Sequence, residues 1–400
     1  VELLKSYQSR LAELDAAGQL RACRLVEPSL ASPVQGQIGL LQAVNFSSND
    51  YLGLSRDSRL QTAAIEAIQR YGTGSSASRL VSGTNELVHQ LELELAQFKQ
   101  TEAALVFNSG YQANVAILQA LLEPGDWVFC DKLNHASLVD GCLLSGARWS
   151  RYRHLDLEHL EQKLQKAPSD ARKWIVTDSV FSMDGDYPDL QALVALADRY
   201  HALVMVDEAH ATGLFGLRGS GLCEQFGVSD RVAIQMGTFS KALGGAGAYA
   251  AGSGILIQTL INRARGFIYS TALPPATVAA ARCGVQVVQS DTTLKHRLWE
   301  NIRLFEQRLQ GEGLDFLIEK PLKSPIVPLV LGDSEKALKV SQLLLEKGYF
   351  VQGIRPPTVP PGTSRLRIAL SAAHSRSQIE GLAAALASID LISQDHPNDI

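Results

Sequence analysis

The chain has only five cysteines in 400 residues, Cys23, Cys130, Cys142, Cys223 and Cys283, and none sits in a CxxC pair. That spacing offers neither a zinc site nor a redox dithiol, and it suits reduced thiols in a cytoplasmic protein. No apolar run approaches the roughly 20 residues of a membrane-spanning helix. The net charge is only -4, which gives no electrostatic reason to expect nucleic acid or an anionic membrane as partner. The P-loop, the GxGxxG dinucleotide fingerprint, the GxSxG elbow and HExxH are all missing, so four common catalytic frameworks lose their signal.

What is present is an ordinary globular composition, 46% hydrophobic and 20% charged, in a chain long enough for two structural units. Leu3, Leu4, Tyr7, Leu11 and Leu14 recur at helical spacing, so the N-terminus reads as an amphipathic helix and not as a signal peptide. Short apolar runs alternate with helical patterns through the middle: 103–107, 126–130, 174–178, 202–208 and 232–237 read as buried strands. This order predicts an α/β fold with a mostly parallel sheet covered by helices. A long helix over 292–310 leads to a smaller α/β unit with strands at "IVPLVLG" and "RLRIAL", and "RPPTVPPG" (355–362) is proline-locked loop. The expected division is a segment 1–50 packing with the small unit, a large unit 51–290, and a small unit 291–400.

"GTFSKALGGAGAYAAG" (237–252) places one ammonium, Lys241, in a run of small residues. The expectation is that glycines and alanines there let a bulky planar ligand approach the lysine nitrogen. Other polar residues fall at the carboxyl ends of the expected strands, where open α/β sheets bind ligands. They are Asp207 with His210, Ser182, the run Asn108, Ser109, Gly110 and Tyr111, and Thr238. Asp207 is also open to reading as a helix cap. A lysine, a buried acid, a histidine and a strand-to-helix turn together suit pyridoxal phosphate. The lysine forms the Schiff base, the acid keeps the pyridine nitrogen protonated, and the turn's N–H groups take the phosphate.

Nine motifs carry a resemblance along nearly the whole chain: "NFSSNDYLGL" (45–54), "GTGSSASRLVSGTNELVHQLE" (72–92), "NSGYQAN" (108–114), "DKLNHASLVDG" (131–141), "FSMDGDYPDL" (181–190), "VDEAHATGLFG" (206–216), "GTFSKALGG" (237–245), "IYSTALPP" (268–275) and "IRPPTVPPGTSRLRIALSAAH" (354–374). The chain is identified by them as resembling the α-oxoamine synthase family of fold-type I pyridoxal-phosphate enzymes. The resemblance implies a large domain with a mostly parallel sheet and a smaller C-terminal domain. Lys241 would carry pyridoxal phosphate, Asp207 would pair with its ring nitrogen, and His210 would lie near its 3-oxygen. His135 would stack on the ring and touch substrate. Ser109, Gly110, Tyr111 and Thr238 would hold the phosphate, with Ser182 near the cofactor. Ser270 and Thr271 would reach it across the boundary of a homodimer.

For the substrate, the resemblance implies Arg367 on the amino-acid carboxylate, with Asn49 and Thr358 nearby and an N-terminal arginine on the acyl group. Arg21 is favoured over Arg24 for that last role. Arg365 stays open beside Arg367, since both lie on one short strand. The proline-rich motif resembles the branch that condenses L-alanine with a pimeloyl thioester, carried by coenzyme A or an acyl carrier protein, releasing carbon dioxide in biotin biosynthesis. The alternatives are a sister synthase using glycine or serine with another acyl thioester, an aminotransferase of the same fold, and a non-catalytic binding or scaffold protein that kept the fold.

Overall fold

The computed structural model describes residues 2–29, 32–318 and 321–389, and the chain divides into two compact units. The larger comprises Leu52–Ser182 and Asp186–His296; the smaller comprises Val1–Tyr51, Met183–Gly185 and Arg297–Ile400. Residues 390–400, the end of the expected small unit, lie outside the described residues.

The larger unit is built on a seven-stranded sheet. In spatial order its strands are Ala103–Phe107, Ala248–Gly252, Ile234–Thr238, Ala202–Asp207, Lys173–Asp178, Trp127–Asp131 and Arg148–Tyr152. Ala248–Gly252 runs antiparallel to both of its neighbours, and the other pairings are parallel. Strands buried on both faces read as continuous apolar runs, which is why "WIVTD" and "LVMVD" stand out in the sequence. The helix Gly110–Leu121 lies against this sheet and against the helix Ala136–Ser145. Its Ile117 and Leu118 join Val128, Val176, Met205 and Met236 in one buried cluster.

The expectation that the small residues of 237–252 serve ligand approach needs correction for several of them. Ala248–Gly252 is a fully buried strand, and its small residues serve sheet packing. Gly237 is small for the same kind of reason: a Cβ there would lie 2.3 Å from the Tyr249 hydroxyl. Gly244 has φ +67, and a Cβ would meet the Leu54 carbonyl carbon at 2.5 Å. Close approach of the chain to itself accounts for these glycines.

In the smaller unit, Ile326–Gly332, Ser364–Ala369 and Gln352–Ile354 form a three-stranded antiparallel sheet. Segment 25–44, to which no motif of the resemblance extends, supplies Val26–Pro28 and Gln35–Ile38. With Leu41–Asn45 and Tyr349–Phe350 these form a second sheet. The short segment Met183–Gly185 belongs with this unit, because a Cβ at Gly185 (φ +74) would overlap the Ile326 carbonyl at 2.2 Å. The N-terminal helix Glu2–Ala16 forms as expected, with Leu3, Leu4, Tyr7, Leu11 and Leu14 all exposed.

Candidate functional site

Four parallel strands end side by side at Thr238, Asp207, Asp178 and Asp131. A cavity of about 180 Å³ opens at this edge, where an open α/β sheet binds ligands. Asp207, His135, His210, Thr238 and Lys241 all line it, together with Gly110 and Tyr111 at a helix start.

Asp207 closes its strand and is only 5% exposed. Its Oδ2 accepts a hydrogen bond from Asn114 Nδ2 at 2.7 Å, and its Oδ1 accepts from the Ala209 backbone N–H at 2.9 Å. The Asp207 carbonyl accepts from the Ser179 N–H at 2.8 Å and the Ser179 hydroxyl at 2.9 Å. The open alternative of a helix cap does not describe it, since no regular helix begins at Asp207.

His135 is the N-cap of the helix Ala136–Ser145. Its Nδ1 lies 2.7 Å from the Ser137 hydroxyl, and its backbone N–H donates to Asp178 Oδ2 at 2.8 Å. Burial pushes the imidazole below its ordinary pKa; Asp207 pulls the other way and the Lys241 charge reinforces the drop. The ring is therefore a neutral, flat face at the cavity wall. Burial pushes the Asp178 carboxyl well above its usual range, and the neighbouring Asp207 charge adds to this.

The helix Gly110–Leu121 begins at the cavity, with Ser109 as its N-cap accepting from the Gln112 N–H at 3.3 Å. A Cβ on Gly110 would sit 3.4 Å from Met236 Cε and 3.9 Å from Thr238 Cβ, so the glycine keeps a cradle open beside the helix's free N–H groups. The Tyr111 hydroxyl donates to Asp140. Thr238 donates its hydroxyl to the Gly247 carbonyl at 2.7 Å and lies 2.8 Å from the Ser240 hydroxyl, bracing the turn that carries Lys241.

Four of the residues expected to hold the cofactor lie outside this cavity lining: Ser109, the N-cap just described, and Ser182, Ser270 and Thr271. Ser182 follows the strand Lys173–Asp178 but does not line the cavity. Ser270 and Thr271 also lie outside it; Gln112 Nε2 donates to the Ser270 hydroxyl at 2.5 Å, and Asn108 Nδ2 donates to the Thr271 carbonyl at 2.7 Å. Ser240, which the sequence offers either for the phosphate or for orienting its loop, lines the cavity; Asn114, Ser137 and Asp178 line it without having been singled out as binding residues. Asn114 had a readable signal: it ends the motif "NSGYQAN" one turn after Gly110, and it is the one polar side chain of its helix that is buried. Its Oδ1 has no partner among the described residues, a buried acceptor at the cavity wall.

The smaller unit gathers the residues expected to meet substrate. Arg367, in the strand Ser364–Ala369, donates from Nη2 to Asn49 Oδ1 at 3.0 Å and to the Tyr51 hydroxyl at 3.3 Å. Burial raises the Tyr51 pKa while Arg367 opposes it. Arg365, two residues earlier on the same strand, is committed to Asp184 Oδ1 at 2.6 Å and to the Met183 carbonyl. Arg21 Nη2 donates to the Thr358 hydroxyl at 3.0 Å, whereas Arg24 lies over the Phe350 ring. Among the described residues no His, Cys, Asp or Glu group could hold a metal ion, and no helix is long and apolar enough to cross a membrane.

Residues 42–386 match the family described as aminotransferase class I and II. The chain is 51% identical over 389 residues to the 8-amino-7-oxononanoate synthase of Geobacter sulfurreducens, covering 97% of this chain and 98% of that protein. It is 43% identical to the enzyme of the same name from Lysinibacillus sphaericus, covering 94% of this chain and 95% of the other. Among solved structures, serine palmitoyltransferase from Sphingomonas wittichii superposes with a TM-score of 0.91 at 32% identity, covering 97% and 98% of the two chains. The 8-amino-7-oxononanoate synthase of Francisella tularensis superposes with a TM-score of 0.74 at 30% identity, covering 86% and 97%.

Proposed function

We propose a function for a chain that belongs to the class I and II aminotransferase family and, within it, to the 8-amino-7-oxononanoate synthases: it condenses L-alanine with a pimeloyl thioester. The products are 8-amino-7-oxononanoate, carbon dioxide and the free thiol, and the cofactor is pyridoxal phosphate. The supporting observation is that a single cavity is lined by a buried carboxylate, an imidazole held neutral, a helix N-terminus and Lys241. That donor set fits the cofactor group by group: an acid for the ring nitrogen, a flat face for the ring, N–H groups for the phosphate and an amine for the aldehyde.

When bound, the cofactor supplies an electron sink for negative charge developing at the amino-acid Cα. Lys241 would hold it, and the lysine amine would take the Cα proton and later return one. Asp207, oriented by Asn114 and the Ala209 N–H, would keep the ring nitrogen protonated. His135 would stack over the ring, and its neutral state removes a competing cation from beside Lys241. His210 would face the ring's 3-oxygen. The Gly110–Tyr111 N–H groups, Ser109, Thr238 and Ser240 would take the phosphate, and Ser182 would support the site from outside the cavity lining.

Arg367, steadied by Asn49 and Tyr51, would bind the alanine carboxylate with the paired geometry a guanidinium offers. Arg21, held beside Thr358, would meet the acyl partner, which arrives on coenzyme A or an acyl carrier protein. The active unit would be a homodimer, each copy lending Ser270 and Thr271 to the other's phosphate. Cytoplasmic residence belongs to the same reading and rests on five free thiols, two of which, Cys130 and Cys142, are hydrogen-bonded at 3.4 Å and not joined as a disulfide.

The test is a grid of kcat/KM values for alanine, glycine and serine against two-, four-, seven- and sixteen-carbon acyl thioesters. Alanine with the seven-carbon donor should lead. A lead for glycine or serine with another donor would move the chain to a sister synthase, and turnover of 2-oxoglutarate would make it an aminotransferase.

A further inference from the structure

Directly after Asp207 comes a second carboxylate that the proposed chemistry does not use. Glu208 is fully buried, and so is Lys99 at the end of the helix Glu86–Lys99. The Lys99 ammonium donates to Glu208 Oε2 and, at 2.6 Å, to the Ser220 carbonyl. Glu208 Oε1 accepts from the Cys223 N–H at 2.8 Å. The backbone of Glu208 is tied as firmly: its N–H donates to the Met236 carbonyl at 2.7 Å, and its carbonyl accepts from the Thr212 N–H and hydroxyl. Gly221 has φ +138, and a Cβ there would lie 2.4 Å from Glu208 Oε1, so even the backbone closes on this carboxylate.

Such a pair is a poor device for stability alone. Taking two charges fully out of water costs several kcal/mol per ion, and apolar replacements of buried pairs are often as stable. Its position suggests another use. Consecutive side chains at a strand end leave in opposite directions. Asp207 meets Asn114 at the cavity, while Glu208 meets Lys99, Ser220 and Cys223 in the core. Anchoring Glu208 therefore fixes the backbone on which Asp207 and, two residues on, His210 are carried. The ammonium also cancels a carboxylate adjacent to Asp207, whose negative charge would otherwise act on the same ring nitrogen.

We propose that Lys99 and Glu208 are positioning residues for the proposed cofactor site: as a buried pair they hold the 207–212 turn so that Asp207 and His210 face the cavity, and they leave Asp207 as the carboxylate that sets the ring's protonation. This rests on the function proposed above. The remaining titratable neighbours of the pair are Cys223 and Tyr249. Burial drives both of their pKa values upward, so they stay neutral and add no competing charge. Burial pulls the Lys99 pKa down, but Glu208 more than restores it, which keeps the ammonium charged.

The experiment compares wild type with Glu208→Gln and Lys99→Met/Glu208→Gln. Three quantities are read on each: the cofactor dissociation constant from fluorescence titration of the cofactor-free chain, the pH dependence of bound-cofactor absorbance, and the thermal midpoint. The double variant buries no lone charge, so its thermal midpoint should stay close to wild type. Its dissociation constant should still rise by about tenfold or more, since small misplacements in a preorganised site carry large effects. The midpoint of the absorbance change should shift as well. If the double variant does not fold, Lys99→Gln/Glu208→Gln, which also buries no lone charge, decides with the same readouts. Folded variants that keep the wild-type dissociation constant and pH profile, and differ only in thermal midpoint, would overturn the inference. A wild-type chain that takes up no pyridoxal phosphate would overturn the proposed function and this inference together.

Discussion

Asn114 Nδ2 donates to Asp207 Oδ2 at 2.7 Å inside the cavity wall, so one amide on a helix orients the carboxylate that ends a strand. Replacing Asp207 by Asn puts an amide against an amide and removes the negative charge. The expected loss is about 3 kcal/mol of barrier stabilisation, roughly 10²-fold in kcat, with the fold intact. Steady-state kinetics beside a thermal melt checks this; a variant with near-normal kcat would mean that Asp207 only braces its turn.

Lys241 should be the residue that borohydride labels in the cofactor-loaded protein, as read by peptide mapping. Lys241 is partly exposed at the cavity, so Lys241→Ala should abolish turnover while changing stability by only about 0.5 kcal/mol. Label on another lysine would remove Lys241 from the site.

The two arginines of one strand should separate cleanly. Arg367→Ala should raise KM for alanine and lower kcat/KM by about 10²-fold, since a charge-assisted contact to a carboxylate is lost. Arg365→Ala breaks the ion pair with Asp184 instead and should show first as a lower thermal midpoint. Reversal of these two phenotypes would reassign the carboxylate site.

Shared active sites predict complementation. Mixed chains of Lys241→Ala and Ser270→Ala/Thr271→Ala, each inactive alone, should regain partial activity once hybrids are shown to form by mass spectrometry. Hybrids without activity would mean that each copy completes its own site.

His154 bridges two carboxylates, with Nδ1 at 2.9 Å from Asp131 Oδ1 and Nε2 at 2.9 Å from Asp186 Oδ2. Burial lowers its pKa, but the two carboxylates outweigh that and push it up to about 10. A raised pKa means that the folded state holds the proton more tightly than the unfolded chain. The stabilisation is therefore complete below pH about 6.5, the ordinary histidine value, and is lost as the pH climbs toward 10. His154→Ala should cost about 2 kcal/mol at pH 6, and the gap from wild type should close as denaturant melts are repeated up to pH 10. The imidazole also meets the Phe181 ring edge-on at 4.4 Å between centroids, and a gap that is independent of pH would mean that this packing carries the effect.

Much of this could be read without coordinates, for identifiable reasons. Strands buried on both faces leave unbroken apolar runs, and polar residues placed just beyond "LVMV" and "IQMG" have few structural excuses. Asp207, His210, Thr238 and Lys241 were legible on those grounds and His135 only through the family resemblance, and the cavity does gather them. Ala248–Gly252 was not, because a short strand of small residues around a single tyrosine carries no β-branched or alternating signal. Segment 25–44 was not, because its short strands find their partners only in each other and in Tyr349–Phe350.

The sequence by itself determined the fold class, the chemistry of the cavity and the family, since these rest on residue types at fixed intervals along the chain. Only the tertiary structure decided which groups stand on either side of them. Asn114 reaches Asp207 across 93 residues of sequence, Lys99 reaches Glu208 across 109, and Arg365 is taken by Asp184 across 181. Side-chain partners this distant are chosen by how helices and strands pack against one another. Local pattern records the period of each element and says nothing of which neighbour its buried polar atoms will meet.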